Sequence, residues 1–352
     1  MTDPVAISQE AQRFVRAFEG AGAELIDTDV LQPAEVLLDL YGEDMRARAF
    51  VSSDPLRGEV MLRPDFTVPV VQMHLAGGAS QARYTYQGKV FRQQADGSDR
   101  PAEYQQVGFE LFNGDNPVDA DAEVFALFDR LLTPMGLRAA TGDIGILRAA
   151  VMGLETSENR RAALLRHLWR PRRFRALLER FSNPLPARAP VSMIDAPEIG
   201  LRSRAEVEAR LAAQAEDACV AAISAGQAEL VDIILGLKEE APIVLSHLND
   251  LVVDMPAIAP AVASFSARLD ALSARGIDVE TLAFEASYGR TALEYYDGFV
   301  FGFYAPDRPD LPPVATGGRY DALTRALGGS EAPRAVGGVI RPGLIVELGL
   351  AP

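Results

Sequence analysis

Residues 104–114 read YQQVGFELFNG, and the side chains of this stretch alternate in character as those of a β-strand do. Successive side chains of a strand point to opposite faces, so the apolar ones share a face that we expect to be buried: Val107, Phe109 and Leu111. The other face carries Gln106, Gly108 and Glu110, so that a glycine lies between an amide and a carboxylate. The stretch therefore predicts a strand with an open, polar-walled floor on one side.

The preceding segment, RYTYQGKVFR (83–92), alternates in the same way and ends in Arg92. The loop between the two segments is polar and rich in turn residues, which predicts an antiparallel pair. Arg92 would then lie beside the polar face of Gln106 and Glu110. An arginine can bind a carboxylate and a glutamate can accept a cationic or N–H group, so this face suits a zwitterion. The alternative is a half-exposed sheet face that carries a structural Arg–Glu pair.

Three further segments carry residues of a similar chemical kind. LRPDFT (62–67) places Asp65 and Thr67 two residues apart after a proline, as an acceptor pair for an ammonium group. EYYDGFVF (294–301) is predicted as a strand with Tyr296 and Gly298 on one face. VATGGRYDALTRALGG (314–329) is predicted as a strand, a glycine turn and a helix. Within it, TGGRYDAL (316–323) offers a second glycine floor with an aromatic neighbour: Gly317, Gly318 and Tyr320.

Strand-like patterns lie towards both ends of the chain, while helical periodicity dominates between them. This distribution predicts an α+β fold in which an antiparallel sheet is flanked by helices. The predicted core domain comprises residues 1–154 and 278–352, and residues 155–277 form a mostly helical insertion.

Charge and composition exclude several classes of function. The net charge of −15, from 34 basic and 49 acidic residues, disfavours a nucleic-acid partner because such binding depends on Lys and Arg. The sequence has no apolar run of about 18 residues, which a membrane-spanning helix would need. We also recognise no signal peptide before the first helix, so we expect a cytoplasmic protein. One cysteine rules out a disulfide within the chain, and the three histidines are scattered. We therefore expect no metal and no cofactor.

Taken in order, these segments resemble histidyl-tRNA synthetase and its paralogues. The resemblance covers about residues 8–150 and 280–348, and it implies the class II aminoacyl-tRNA synthetase fold and a homodimer. Five segments in this order carry it. VLQPAEVLLDLYG (30–42) resembles motif 1, LRPDFT (62–67) is the second of them, and KVFRQQ (89–94) with VGFELF (107–112) resembles motif 2. The last two, TALEYYDGFVF (291–301) and TGGRYDAL (316–323), resemble the two histidine-specific motifs.

The resemblance implies a histidine site and a role for each of its residues. Asp65, Thr67 and Gln106 would bind the α-ammonium group, although synthetases typically carry a longer Glu where this chain has Asp65. Arg92 with Gln106 would bind the α-carboxylate. The imidazole would contact Glu110 and Tyr296. Three residues would shape the wall: Gly317, Gly318 and Tyr320.

The half of the motif pattern that binds ATP is altered. Synthetases have Arg-Gly-Leu-Asp-Tyr-Tyr where this chain reads TALEYY (291–296), and Arg290 is one residue early, which on a strand places it on the opposite face. Gly-Leu-Glu-Arg of motif 3 is RPGL (341–344) here, so Leu344 replaces the ATP-binding Arg, although Arg341 could lie near the same helix face. The His-Glu pair of motif 2 is QQ (93–94). The chain also stops where synthetases continue into an anticodon-binding domain, so we expect no tRNA recognition.

A chain that keeps the amino-acid site of a synthetase but lacks its ATP and tRNA sites resembles a known group of proteins. They are the regulatory subunits of the short-form ATP phosphoribosyltransferase, the first enzyme of histidine biosynthesis. The resemblance implies a non-catalytic subunit that binds free histidine and is needed for the activity and feedback inhibition of the catalytic subunit, as a homodimer within a larger hetero-oligomer. Two alternatives stay open. One is a truncated histidyl-tRNA synthetase-like enzyme that still activates an amino acid with ATP, and the other is a free-standing histidine sensor with another partner.

Overall fold

The computed structural model describes residues 3–34, 47–98, 100–113, 116–184, 201–288 and 295–350. The strands in these ranges are β1 Glu24–Leu25, β2 Leu31–Pro33, β3 Val51–Asp54, β4 Gly58–Leu62, β5 Ala82–Phe91, β6 Glu103–Phe112, β7 Arg138–Asp143, β8 Lys238–Glu240, β9 Ala283–Glu285, β10 Phe299–Tyr304, β11 Ala315–Arg319 and β12 Ala335–Ile340. The helices are α1 Pro4–Gly20, α2 Thr67–Gly77, α3 Pro117–Leu132, α4 Ile144–Met152, α5 Glu158–Arg166, α6 Pro171–Phe181, α7 Arg204–Ala218, α8 Ala225–Gly236, α9 Ala241–Asp254, α10 Ala259–Ser273, α11 Asp321–Gly328 and α12 Pro342–Leu348. Two short 3₁₀ helices lie at Thr133–Met135 and Pro256–Ile258.

Most of the strands form one sheet in the order β1-β5-β6-β12-β11-β10-β7-β9-β8, and its central six strands are antiparallel neighbours. β1 and β9 join it in parallel, next to β5 and β7. A second sheet has the order β2-β4-β3. The predicted α+β fold with an antiparallel sheet flanked by helices is thus confirmed.

The predicted hairpin is the pair β5 and β6, and both strands begin one residue earlier than the alternation indicated. Phe109 on the apolar face packs against Phe18 of α1, with 5.5 Å between the ring centroids, and Phe18 also contacts Phe128 of α3 at 5.4 Å. The polar face is buried too, since Gln106 is 0% exposed and Glu110 is 1% exposed. The alternative of a half-exposed face with a structural Arg–Glu pair is therefore wrong.

Two local predictions were also wrong. Gly317 and Gly318 do not form a turn but lie inside β11, where they pair with Gly338 and Gly337 of β12. Residues 295–298 precede β10 and are not a strand, so strict alternation does not govern where Tyr295 and Tyr296 point. A pair of glycines can therefore lie inside a strand, where neighbouring side chains occupy the space that Cβ atoms would fill.

Residues 155–277 contain six helices among the described residues, which agrees with the helical periodicity of this segment. The segment is attached to the sheet in two ways. Its strand β8 pairs with β9, and its last helix, α10, packs against α3. We propose that the segment is an insertion docked on the core domain, with the boundaries predicted above.

The helix-covered side of the sheet contains a cluster of four buried charged residues, which we call the ionic cluster: Asp121, Asp143, Arg268 and Arg319. Arg268 of α10 donates to Asp121 at 3.0 Å and also to Asp143. Arg319 of β11 donates to Asp121 through Nε and Nη2, at 2.9 and 2.7 Å. The cluster therefore joins α3, α10 and the sheet through charge-assisted hydrogen bonds.

None of the helices in the described ranges is long and apolar enough to cross a lipid bilayer. The same residues contain no group of three or more His, Cys, Asp or Glu side chains arranged to hold a metal ion.

Candidate functional site

The site lies on the face of the sheet opposite the ionic cluster, where three central strands meet. Glu110 of β6 lies opposite Gly337 of β12, which in turn lies opposite Gly318 of β11. A Cβ atom on Gly337 would stand 1.6 Å from Oε2 of Glu110, so only glycine leaves room for the carboxylate. The glycines of adjacent strands thus create the space that Glu110 occupies.

Three hydroxyl groups hold the Glu110 carboxylate. Tyr86 donates to Oε1 at 2.8 Å, Thr67 donates to the same oxygen at 3.0 Å, and Tyr320 donates to Oε2 at 2.6 Å. The ring of Tyr86 lies over Gly108, where an added Cβ would be 2.2 Å away, and it stacks on Phe66 with 4.3 Å between centroids. Packing therefore fixes the tyrosine that orients the carboxylate.

Burial raises the pKa of Glu110 to about 7, even though the hydrogen bonds from Tyr320, Tyr86 and Thr67 act to lower it. Burial and the nearby Glu110 charge also raise the pKa values of Tyr86 and Tyr320 well above that of a free tyrosine. Both phenols therefore stay protonated near neutral pH and act as donors. The Glu110 carboxyl, in contrast, can change its charge in that range.

Asp65 and Arg92 lie together in a second part of the site. Oδ1 of Asp65 accepts the backbone N–H of Thr67 at 3.1 Å, at the beginning of α2. Nε of Arg92 donates to the carbonyl oxygen of Pro64 at 2.8 Å, and its Nη2 is 3.8 Å from Oδ2 of Asp65. The backbone before α2 therefore holds the guanidinium in place.

Gln106 of β6 is fully buried, yet its side-chain nitrogen and oxygen both lack a hydrogen-bond partner within the part of the chain that the structure describes. A buried amide without partners costs about 1–3 kcal/mol, so such groups usually point to something that pairs with them in the working state. Here the unpaired amide borders the cavity that Glu110 also lines. A ligand with both donors and acceptors would satisfy it.

These groups line one cavity between β6, β11 and β12. It is lined by thirteen residues: Asp65, Thr67, Arg92, Gln106, Glu110, Tyr295, Tyr296, Thr316, Tyr320, Gly337, Gly338, Val339 and Arg341. Seven of the nine residues predicted from the sequence are therefore brought together. Of the other two, Gly318 lies beneath Tyr296, where an added Cβ would be 2.9 Å from the ring, and Gly317 faces Phe301 on the other side of the sheet.

Sequence reasoning missed several lining residues for different reasons. Gly337 and Gly338 lie opposite Glu110 and Phe109, so the pairing of β12 with β6 would have identified them. Tyr295 was placed on the wrong face by the assumption of a strand. Arg341 was considered only as a possible ATP contact. The predictions for Arg290 and for residues 291–294 lie outside the described residues, as does most of the segment that resembles motif 1.

Comparison with known proteins gives a consistent result. Proteins named ATP phosphoribosyltransferase regulatory subunit from Brucella canis and Brucella melitensis are each 29% identical to this chain over 346 positions, which cover 90% of this chain and 90% of each relative.

Two solved structures show the same fold. An ATP phosphoribosyltransferase regulatory subunit/histidyl-tRNA synthetase from Bacillus halodurans C superposes with a TM-score of 0.71 at 22% identity, over 100% of this chain and 82% of that chain. A histidyl-tRNA synthetase from Nostoc sp. PCC 7120 gives a TM-score of 0.67 at 16% identity, over 100% and 74%. The histidyl-tRNA synthetase family profile matches residues 5–342. The chain therefore belongs to the histidyl-tRNA synthetase family.

Proposed function

We propose that this protein is a non-catalytic regulatory subunit of the short-form ATP phosphoribosyltransferase and that it binds free histidine in the cavity on β6. The relatives that carry the regulatory-subunit name support the first part of the proposal. The second part rests on the chemistry of the cavity.

The observation that supports histidine binding is the set of charged groups and the unpaired amide that line this cavity. Asp65 and Glu110 supply two carboxylates, Arg92 and Arg341 supply two guanidinium groups, and the amide of Gln106 is unpaired among the described residues. An amino-acid zwitterion has both charges and enough hydrogen-bonding groups to match this set. The glycines on β11 and β12 make room for the side chains that shape the cavity, since Gly337 accommodates Glu110 and Gly318 accommodates Tyr296.

Within this proposal each predicted residue has a role. Asp65, Thr67 and Gln106 bind the α-ammonium group, and Arg92 with Gln106 binds the α-carboxylate. Glu110 and Tyr296 contact the imidazole nitrogens, since Glu110 is held in place by three hydroxyl groups and can accept a further N–H. The wall is shaped by Tyr320, Gly317 and Gly318, with Gly317 acting through the packing of β11.

Regulation follows if histidine binds one conformation of the hetero-oligomer better than another. The catalytic subunit is the proposed partner, and the regulatory protein is a homodimer within that assembly. The ligand shifts the equilibrium only by the difference between its affinities for the two conformations.

Calorimetry with free histidine, with and without the short-form catalytic subunit, tests the proposal directly. Histidine should bind the isolated protein and raise its melting temperature. The variants Glu110→Gln and Arg92→Ala should each abolish this increase, while Arg308→Ala, an exposed residue that pairs with Asp310, should keep it. If both site variants retain the wild-type increase, histidine binds elsewhere.

Two further measurements separate the proposal from its alternatives. A truncated enzyme would show histidine-dependent exchange of pyrophosphate into ATP, and the regulatory subunit should show none. A free-standing sensor would neither co-purify with the short-form catalytic subunit nor change its activity.

A further inference from the structure

Arg341 occupies a position in the cavity that the sequence motifs do not explain. It follows β12 directly and precedes α12, and its backbone N–H donates to the carbonyl oxygen of Val314 at 2.8 Å. Its Nη1 donates to the carbonyl oxygen of Pro313 at 2.6 Å. The backbone carbonyl groups of residues 313 and 314 therefore hold Arg341 in place, and the one of Pro313 holds its guanidinium at the cavity wall.

No Asp or Glu side chain in the ranges that the structure describes lies within 4 Å of the Arg341 guanidinium, which distinguishes it from the most buried arginines of the protein. Arg160, Arg268 and Arg319 each pair with an aspartate. Burial lowers the pKa of Arg341, and the positive charge of Arg92 acts in the same direction. Arg341 is partly buried, and a partly buried cation with no carboxylate partner among the described residues favours a nearby anion.

Gln106 lines the same cavity, and its unpaired, fully buried amide provides a second, independent sign of a missing ligand. Its NH₂ group is a donor of the kind that an oxyanion requires. The two carboxylates in the cavity, Asp65 and Glu110, would repel a group with several negative charges. Among the described lining residues, two guanidinium groups balance these two carboxylates, so the cavity suits a zwitterion with one carboxylate better than a triphosphate.

We propose that Arg341 is a second carboxylate-binding residue, which acts with Arg92 and Gln106 and makes the pocket specific for a free amino acid over analogues that lack the carboxylate. This inference rests on the proposed function, because it assigns the α-carboxylate of the bound histidine to a specific residue. An arginine binds a carboxylate in a fixed, planar geometry that a lysine does not reproduce.

The test compares the affinities of histidine and histidinamide for the wild type, Arg341→Gln, Arg341→Lys and the surface control Arg308→Gln. Histidinamide keeps the imidazole and the amine but has no negative charge. Wild type should prefer histidine by at least about tenfold, which is the size expected for one charge-assisted contact. Arg341→Gln should lose about that factor for histidine and less than about twofold for histidinamide.

Arg341→Lys should lie between wild type and Arg341→Gln, and Arg308→Gln should match the wild type. Each ratio is measured within one folded protein and at one pH, so a general loss of stability or a change in ligand ionisation does not alter the comparison. Equal losses for both ligands in Arg341→Gln, or an unchanged affinity for histidine, would overturn the inference and leave histidine binding intact.

If the proposed function itself is wrong, the binding measurements give a different result. If the wild type does not bind histidine but binds another of the twenty amino acids, the proposed function falls, and the same comparison of that amino acid with its amide decides the role of Arg341. If no amino acid binds, or if Arg341→Gln weakens the binding of Mg²⁺–ATP instead, both the proposed function and the carboxylate role are wrong.

Discussion

The two faces of the central sheet bury charge in opposite ways. On the helix-covered face the ionic cluster pairs each of its charges, with Arg268 between two aspartates and Arg319 making two hydrogen bonds to Asp121. On the other face Arg341 has no carboxylate partner and Gln106 has no hydrogen-bond partner among the described residues. Two neighbouring residues at the end of β11 serve the two faces: Arg319, the last residue of the strand, contributes to the cluster, and Tyr320, which follows it, binds Glu110.

This difference separates charge that holds the structure together from charge that is available to a ligand. Buried pairs add little net stability over an apolar core, but removing one member leaves the other uncompensated. Unpaired buried groups lower stability until something binds them. We therefore expect substitutions in the ionic cluster to destabilise the fold, and substitutions in the pocket to affect binding more than stability.

The largest effect is expected for Arg268→Met, which leaves Asp121 and Asp143 without their shared partner. The free energy of unfolding should fall by about 3–5 kcal/mol, as measured by urea denaturation. The matched control is Arg275→Met, just after the same helix. Arg275 forms a more exposed pair with Asp119, so its loss should cost less than about 1 kcal/mol. Equal losses for the two variants would contradict the structural role that we assign to the buried pairs of the ionic cluster.

A smaller effect is expected from the raised pKa of Glu110, which changes stability with pH. The pKa is about 7 in the folded protein and near 4.5 in the unfolded chain, so the folded state binds more protons between these values. The contribution of this group is therefore fully present below about pH 4.5 and is lost as the pH rises through about 7, by an amount on the order of 3 kcal/mol.

Glu110→Gln should remove this decrease, so the stability of the variant relative to wild type should rise between pH 4.5 and 7 in urea titrations. Glu123→Gln, on the outer side of α3 where Glu123 pairs with Arg83, should follow the wild-type profile. A wild-type profile for Glu110→Gln would mean that the carboxyl is not perturbed in the folded protein. A ligand N–H that donates to Glu110 favours the ionised form, so bound histidine should reduce the pH dependence.

The strands of the site could be predicted from sequence because their alternation is a local property. YQQVGFELF identified β6 and both of its faces, and the hairpin with β5 followed from the polar loop between them. The pattern could not show that helices and other strands cover the polar face as well. That burial depends on chain segments far from β6, including Thr67 of α2 and Tyr320 between β11 and α11, and it raises the pKa of Glu110.

The pairing of distant strands was the main information that the sequence lacked. Gly317 and Gly318 looked like a turn, because the side chains that need their space belong to other segments: Phe301 and Tyr296. Arg341 and Gly337 enter the cavity only because β12 lies between β6 and β11. The ionic cluster was missed for the same reason, since residues 121, 143, 268 and 319 meet only in the folded chain.

The smallest effect is expected for Gln106→Leu, and its sign is opposite to that of a typical core substitution. Leucine removes a buried amide whose two polar atoms lack partners among the described residues, and it keeps apolar contacts at a similar volume. Without ligand, the free energy of unfolding should rise by about 1–2 kcal/mol, because the cost of the unpaired amide disappears.

The control is Gln105→Leu, the adjacent and partly exposed position, where the change should be within about 0.5 kcal/mol. Histidine should stabilise Gln106→Leu less than it stabilises the wild type, so the two melting temperatures should converge as histidine is added. If Gln106→Leu is destabilised without ligand, the amide is satisfied in the free protein, most simply by buried water. The pocket would then bury its polar groups in paired form, as the ionic cluster does, and the two faces of the sheet would not differ in this respect.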